Sequence, residues 1–133
     1  MMNTVIAAYC YKGEGKKHKI LLITSTTGRW IVPKGQKEKD RKNREVALLE
    51  AWEEAGVVGE ITGGSKEFYI NRGFLTLWKF YPIKIIELAD RWPEKKIRDR
   101  RLVSAEEAEL MIDNIDLSNA VSKLAKKMLK KVI

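Results

Sequence analysis

Three glutamates, Glu50, Glu53 and Glu54, stand at i, i+3 and i+4 of a segment that reads as a helix. At 3.6 residues per turn they share one face. Like charges at this spacing repel and weaken the helix that carries them, so a compensating positive charge is expected. Hard divalent cations such as Mg²⁺ take several oxygen ligands, and this triad supplies them. A solvated acidic face is the other reading of the same spacing. Upstream lies Pro33-Lys34-Gly35, where a glycine lets the backbone approach an ion or a phosphate closely. Arg29, Lys34, Lys37 and Lys39 surround it. Cations beside a carboxylate triad suit a metal-bound phosphate substrate.

The helix that must present the triad is expected over residues 41–55. Leu48, Ala51, Trp52 and Ala55 follow the spacing of one buried stripe, with the glutamates roughly opposite Leu48 and Trp52. Asp40 could cap its start, and Gly56 stands where a C-terminal glycine belongs. Before it, residues 4–11, 19–24 and 29–32 read as strands, residues 12–19 as a polar loop or hairpin end, and residues 33–40 as a charged loop. After it, strands are expected over residues 57–61, 66–70 and 75–86, the last perhaps broken at Pro82, and over 100–103. Residues 87–96 read as a polar loop. Ser104-x-x-Glu107 is a capping box opening a short helix to about residue 112. A last helix from about Leu117 carries the apolar stripe Val121, Leu124, Ala125, Met128, Leu129 and Val132, with Lys123, Lys126, Lys127, Lys130 and Lys131 off it on a solvated face. Strands intermixed with helices indicate an α/β or α+β sandwich.

The chain has 133 residues, enough for one domain over 1–133 with its own core. Its 44% hydrophobic and 33% charged residues exclude wholesale disorder. No apolar stretch approaches the roughly 18 residues of a spanning helix, and no signal-peptide pattern opens the sequence. With 26 Lys and Arg against 18 Asp and Glu, the net charge is +8, which attracts polyanions such as nucleic acid, phospholipid headgroups or phosphate-rich small molecules. The single cysteine, Cys10, lies in an apolar run and is expected to be buried; a reducing cytoplasm fits it. His18, the only histidine, lies in a Lys-rich loop and is expected at the surface.

The segment Arg29-Trp30-Ile31-Val32-Pro33-Lys34-Gly35, followed by Glu50-Ala51-Trp52-Glu53-Glu54-Ala55-Gly56-Val57, resembles the Nudix box, G-x5-E-x7-R-E-U-x-E-E-x-G-U with U bulky and apolar. Leu21 to Ser25, Trp92-Pro93-Glu94, Arg98 to Arg101 and Ser104 to Ala108 are similar to the diphosphoinositol polyphosphate and diadenosine polyphosphate hydrolase branch. The likeness covers residues 4–112. Two box positions depart from the pattern: Arg41 replaces the first glutamate and Leu49 replaces the arginine before Glu50. Glu38 or Asp40 could substitute for the missing acid.

The resemblance implies an α/β/α sandwich around a mixed sheet and a metal-dependent hydrolase. Its substrate would be a nucleoside diphosphate derivative, a dinucleoside polyphosphate or an inositol pyrophosphate. Glu50, Glu53 and Glu54, with the Gly35 carbonyl, would hold Mg²⁺ or Mn²⁺. The catalytic base would be a box glutamate, Glu53 or Glu54, or a loop acid among Glu87, Asp90 and Glu94, with Glu94 first. Arg29 and Lys34 would contact substrate phosphates, with Lys12 and residues 95–101 as further candidates. Trp30, Tyr69, Trp78 and Trp92 are candidates for base stacking or for core packing. The departures at Arg41 and Leu49 favour an alternative, a catalytically impaired Nudix-fold module that binds a polyphosphate ligand or RNA. Nucleic acid is a less favoured partner, and a monomer or homodimer is expected.

Overall fold

The computed structural model describes residues 3–130. In chain order its elements are β1 (Thr4–Lys12), a single 3-10 turn (Gly15–Lys17), β2 (Lys19–Thr24), β3 (Trp30–Ile31), β4 (Lys34–Gln36), α1 (Asn43–Ala55), β5 (Val57–Ile61), β6 (Lys66–Asn71), β7 (Leu75–Leu88), β8 (Arg100–Val103), α2 (Ala105–Met111) and α3 (Ile115–Lys130).

β1 is the centre of a mixed sheet. Six consecutive residues, Val5 to Cys10, are buried in it, because helices cover both faces and neither pleat direction meets water. Val5, Ala7 and Tyr9 belong to the core beneath α2 and α3, with Leu22, Phe80, Leu117, Val121 and Leu124. Ile6, Ala8 and Cys10 belong to the core beneath α1, with Ile23, Val46, Ala47, Ala51 and Ile83. The two-residue period of a strand produces this division. Cys10 is fully buried, and burial raises the pKa of its thiol.

One edge of β1 runs parallel to β7, from Thr4 opposite Leu77 to Tyr11 opposite Lys84. The other edge is shared. β4 pairs with Val5, Ile6 and Ala7, and β2 pairs with Tyr11 and Lys12. β8 pairs along the edge of β2 away from β1, and β3 pairs with Ile23 and Thr24 on the other edge, beyond the stretch that β1 occupies. β7 is long enough to pair with β6 in its first half and β5 in its second. It continues through Pro82, so the expected break there is absent. Pro82 lies opposite Tyr9 of β1, in the stretch of β7 between its β6 and β5 partners.

Residues 33–40, expected as loop, contain β4. The short segment has no strand composition, and its pairing comes from the free half-edge of β1. Helix α1 starts two residues later than expected. Its N-cap is Lys42 and makes no side-chain capping bond, so Asp40 does not cap it. Its buried residues are Val46, Ala47, Ala51, Glu54 and Ala55, whereas Leu48 and Trp52 are half-buried at its edge. The carboxylate face therefore merges with the core face instead of opposing it. Gly56 ends α1 with φ +66°, and a Cβ there would lie 2.7 Å from Arg100 Nη1 and 2.9 Å from the Trp92 ring, so both backbone and space require glycine. Ser104 and Glu107 close the expected capping box of α2. α3 starts at Ile115, two residues before Leu117; Lys131 and Val132 lie outside the described residues.

Candidate functional site

The last two turns of α1 carry the box glutamates, and the carbonyls at its end need donors from elsewhere. The loop between β7 and β8 supplies them. The Glu94 N–H donates to Glu53 O at 3.0 Å, Trp92 Nε1 to Glu54 O at 3.1 Å, and Arg100 Nη1 to Ala55 O at 2.9 Å. Arg100 stacks 4.0 Å above the Trp92 ring. This docking lays Glu94 against the end of α1, beside the triad. Of the other acids expected in the loop, Asp90 is exposed, and Glu87 is not in the loop but near the end of β7, opposite Val58 and exposed.

Arg98 ties the site together. Its side chain is 11% exposed. Nη2 donates to Glu54 Oε2 at 3.2 Å, Nε to Glu94 Oε1 at 2.7 Å, and Nη1 to Thr24 O at 2.9 Å. Glu54 also accepts the Lys34 N–H at Oε1, 3.0 Å. The expected positive charge next to the triad is therefore a loop arginine from more than forty residues downstream. Its position in a basic run gave no local sign of this contact.

Glu50 packs against Gly35. A Cβ added to Gly35 would sit 2.7 Å from Glu50 Cδ and Oε1, so the carboxyl fills the space that glycine leaves. Burial, and then the negative charges of Glu54, Glu53 and Glu94, push the Glu50 pKa up to about 8. Burial also raises Glu54, against the opposing pull of the Lys34 N–H and Arg98.

Among the described residues, no three acidic, histidine or cysteine side chains stand at ready-made metal-ligand spacing. Arg98 holds Glu54 and Glu94 in its own fork. The donor set nevertheless fits a hard divalent cation: it is all carboxylate oxygen, Gly35 lies against Glu50, and part of what raises Glu50, after burial, is repulsion by Glu54, Glu53 and Glu94 that a cation relieves.

Arg41 is exposed and pairs with Glu38 at 3.7 Å. Asp40 is exposed as well, and neither Glu38 nor Asp40 has a described bond to the helix glutamates. Lys34 reaches both ways. Its N–H is on Glu54, and its Nζ lies 5.9 Å over the Trp78 ring. Beside it opens a cavity of about 290 Å³ lined by Ser25, Arg29, Lys34, Arg72, Trp78 and Asn114, among others. The structure thus brings Arg29 and Lys34 to one cavity and adds Arg72, which stood outside every motif. Of the aromatic candidates, Trp78 is buried, Trp92 lies under Arg100, Trp30 is half-buried and Tyr69 is exposed.

A larger concavity, about 460 Å³ between His18 and Ser104, contains no box residue. His18 is buried, contrary to the surface position expected. Nε2 shares a 2.8 Å hydrogen bond with the buried Tyr9 hydroxyl, and Nδ1 meets Gly13 O at 3.2 Å. The polar loop folds its one aromatic residue back over Tyr9 and Tyr11.

No family model matches the chain. It is 31% identical over 105 residues to Nudix hydrolase 4 of Arabidopsis thaliana, covering 72% of this chain and 48% of that protein. It is 30% identical over 90 residues to diphosphoinositol polyphosphate phosphohydrolase 3-beta of Homo sapiens, covering 66% and 54%. The chain spans about half the length of the curated relatives it matches. Its structure superposes on the C. elegans Ap4A hydrolase with a TM-score of 0.75 at 17% identity, over 96% of this chain and 98% of that one. Fold and site define a Nudix architecture, a mixed sheet between helices with box glutamates at the end of α1. With the sequence relatives, they make the chain a member of the Nudix hydrolase family. No helix among the described residues is long and apolar enough to cross a membrane.

Proposed function

We propose that this chain is a divalent-metal-dependent hydrolase that cleaves a phosphoanhydride bond in a phosphorylated small molecule. The observation that supports it most is the meeting of Glu50, Glu53, Glu54, Gly35 and Glu94 at one end of α1, with the cations Lys34 and Arg98 beside them. Glu50, Glu53 and Glu54, with the Gly35 carbonyl, would hold Mg²⁺ or Mn²⁺. Such an ion, when bound, neutralises a diphosphate and lowers the pKa of a coordinated water. Glu94 is the proton acceptor for the attacking water. Arg98 fixes the position of its carboxylate, and Glu53 and Glu54 are the box alternatives for that role. Lys34 and Arg29 orient the substrate phosphates from the cavity rim. Dinucleoside polyphosphates and inositol pyrophosphates come first among substrates in this reading, with the names of the similar proteins in support. One Nudix domain in a reducing compartment, the cytoplasm, completes this reading, with the buried Cys10 in support.

The test is product release from a panel of nucleoside diphosphate derivatives, diadenosine polyphosphates and inositol pyrophosphates with Mg²⁺ or Mn²⁺, and with EDTA as control. Turnover that EDTA abolishes is the expected result. A second reading, a binding module without catalysis, draws on Arg98 holding Glu54 and Glu94 and on the changed box positions Arg41 and Leu49. Ligand binding without turnover anywhere in the panel would select it.

A further inference from the structure

The cavity beside the box contains two cations that lack a partner. Arg72 Nε is buried and has no hydrogen-bond acceptor among the described residues. Among the described residues, neither Arg72 nor Lys34 forms an ion pair. A buried, unsatisfied charged donor is costly, and native structures rarely keep one without a use. Both cations lie over the same indole, with Arg72 Cζ at 5.2 Å and Lys34 Nζ at 5.9 Å from the Trp78 ring. Burial, and then the positive charge of Arg72, lowers the pKa of Lys34, despite the opposing influence of Glu54 and Glu50. The two groups repel, and an anion between them would relieve both.

The arrangement is held in place before any ligand arrives. The Asn71 N–H donates to Asp116 Oδ2 and Asn114 Nδ2 to Asn71 O, each at 2.9 Å, so the hairpin bearing Arg72 is pinned to the start of α3. Trp78 is fixed by its Nε1 donating to Thr76 Oγ1 at 2.8 Å, and Thr76 donates in turn to Ile70 O. Trp78 is only 1% exposed. With cations over it, the indole offers no free face for a base to stack on, so the cavity presents charge.

We propose that this cavity binds a phosphate group of the substrate remote from the bond being cleaved, with Arg72 and Lys34 as its ligands and Arg29 at its mouth. The inference rests on the hydrolase reading and narrows it: substrates carrying a phosphate beyond the scissile diphosphate are preferred over plain diphosphate esters. Arg72 is a binding residue of this site, and Trp78 is its floor.

Inorganic tripolyphosphate in EDTA is the probe, because it requires neither metal nor turnover. Calorimetric titration of the full chain is expected to show binding that Arg72→Gln and Lys34→Gln each weaken at least tenfold. Lys126→Gln, which removes one exposed positive charge on α3, should change it less than twofold. Arg72→Met, a substitution of similar length, should be at least as heat-stable as the parent without ligand and gain less from tripolyphosphate. No binding by the parent chain, or equal binding by the Arg72 and Lys34 variants, overturns the cavity. Arg72-dependent binding without hydrolysis of any panel substrate would overturn the enzyme reading and leave the anion site standing. Where hydrolysis occurs, Arg72→Gln should raise KM for a substrate with the additional phosphate and leave a plain diphosphate ester unchanged. An equal rise for both overturns the assignment to the remote phosphate.

Discussion

Glu54 is the residue on which the most depends: it is buried in the core face of α1, accepts the Lys34 N–H and is paired with Arg98. Glu54→Gln keeps its volume and removes its charge. Hydrolysis should fall at least a hundredfold with the circular-dichroism spectrum unchanged, and retained activity would remove Glu54 from the metal-binding set. Glu50 gives a pH signature. Its pKa rises from an unfolded value near 4.5 to about 8 in the fold, so the folded state binds the proton more tightly. Metal-free stability is therefore highest below about pH 4.5 as far as this group is concerned, and is lost as pH rises through 8. Melting temperature in EDTA should fall between pH 5 and 8, and Glu50→Gln should flatten that slope. Removing Arg98 leaves Glu54 and Glu94 without their counter-ion. Arg98→Gln is expected to cost about 2 kcal/mol of stability at neutral pH in urea unfolding, with Arg98→Lys recovering only part because it lacks the fork.

At the scale of elements, the loop between β7 and β8 is part of the end of α1. Trp92, Glu94 and Arg100 satisfy three consecutive carbonyls there, and the same contacts set Glu94 beside the triad. Trp92→Phe keeps the aromatic floor beneath Arg100 but removes the donor to Glu54 O. A loss of about 1 kcal/mol is expected, together with a fall in kcat larger than any change in KM, because the proton acceptor moves while the phosphate contacts do not. Equal effects on kcat and KM would separate the loop's capping role from catalysis. β4 makes a comparable point. Its pairing with β1 brings Gly35 and the Lys34 N–H to the glutamates, although three residues of Lys-Gly-Gln carry no strand signal.

Across the whole molecule, the +8 charge is unevenly used. Lys123, Lys126 and Lys127 of α3 are exposed, whereas Arg98 is drawn inward onto the acids and Arg72 Nε is buried beside the cavity that Lys34 and Trp78 line. Screening should weaken polyphosphate binding only modestly if two or three semi-buried cations carry it. A polyanion bound along the outer lysines would show a steep salt slope.

The sequence by itself determined the features that are local. The i, i+3, i+4 spacing of the glutamates, the strand residues of β2, β5 and β8, the glycine that ends α1 and the Ser104–Glu107 capping box all follow from contacts a few residues apart. The box also identified the family, because its residue types are fixed by one site's chemistry. Tertiary structure decided what depends on distant partners. It buried Glu54 where α1 meets the sheet, folded His18 back onto Tyr9, paired β4 with a half-edge left open by β2, and placed Arg98 on two carboxylates. It alone set Arg72 facing Lys34 over Trp78. A periodic pattern reports which face of an element is apolar; the charge that stands opposite a given side chain is set by the packing of segments far apart in the chain.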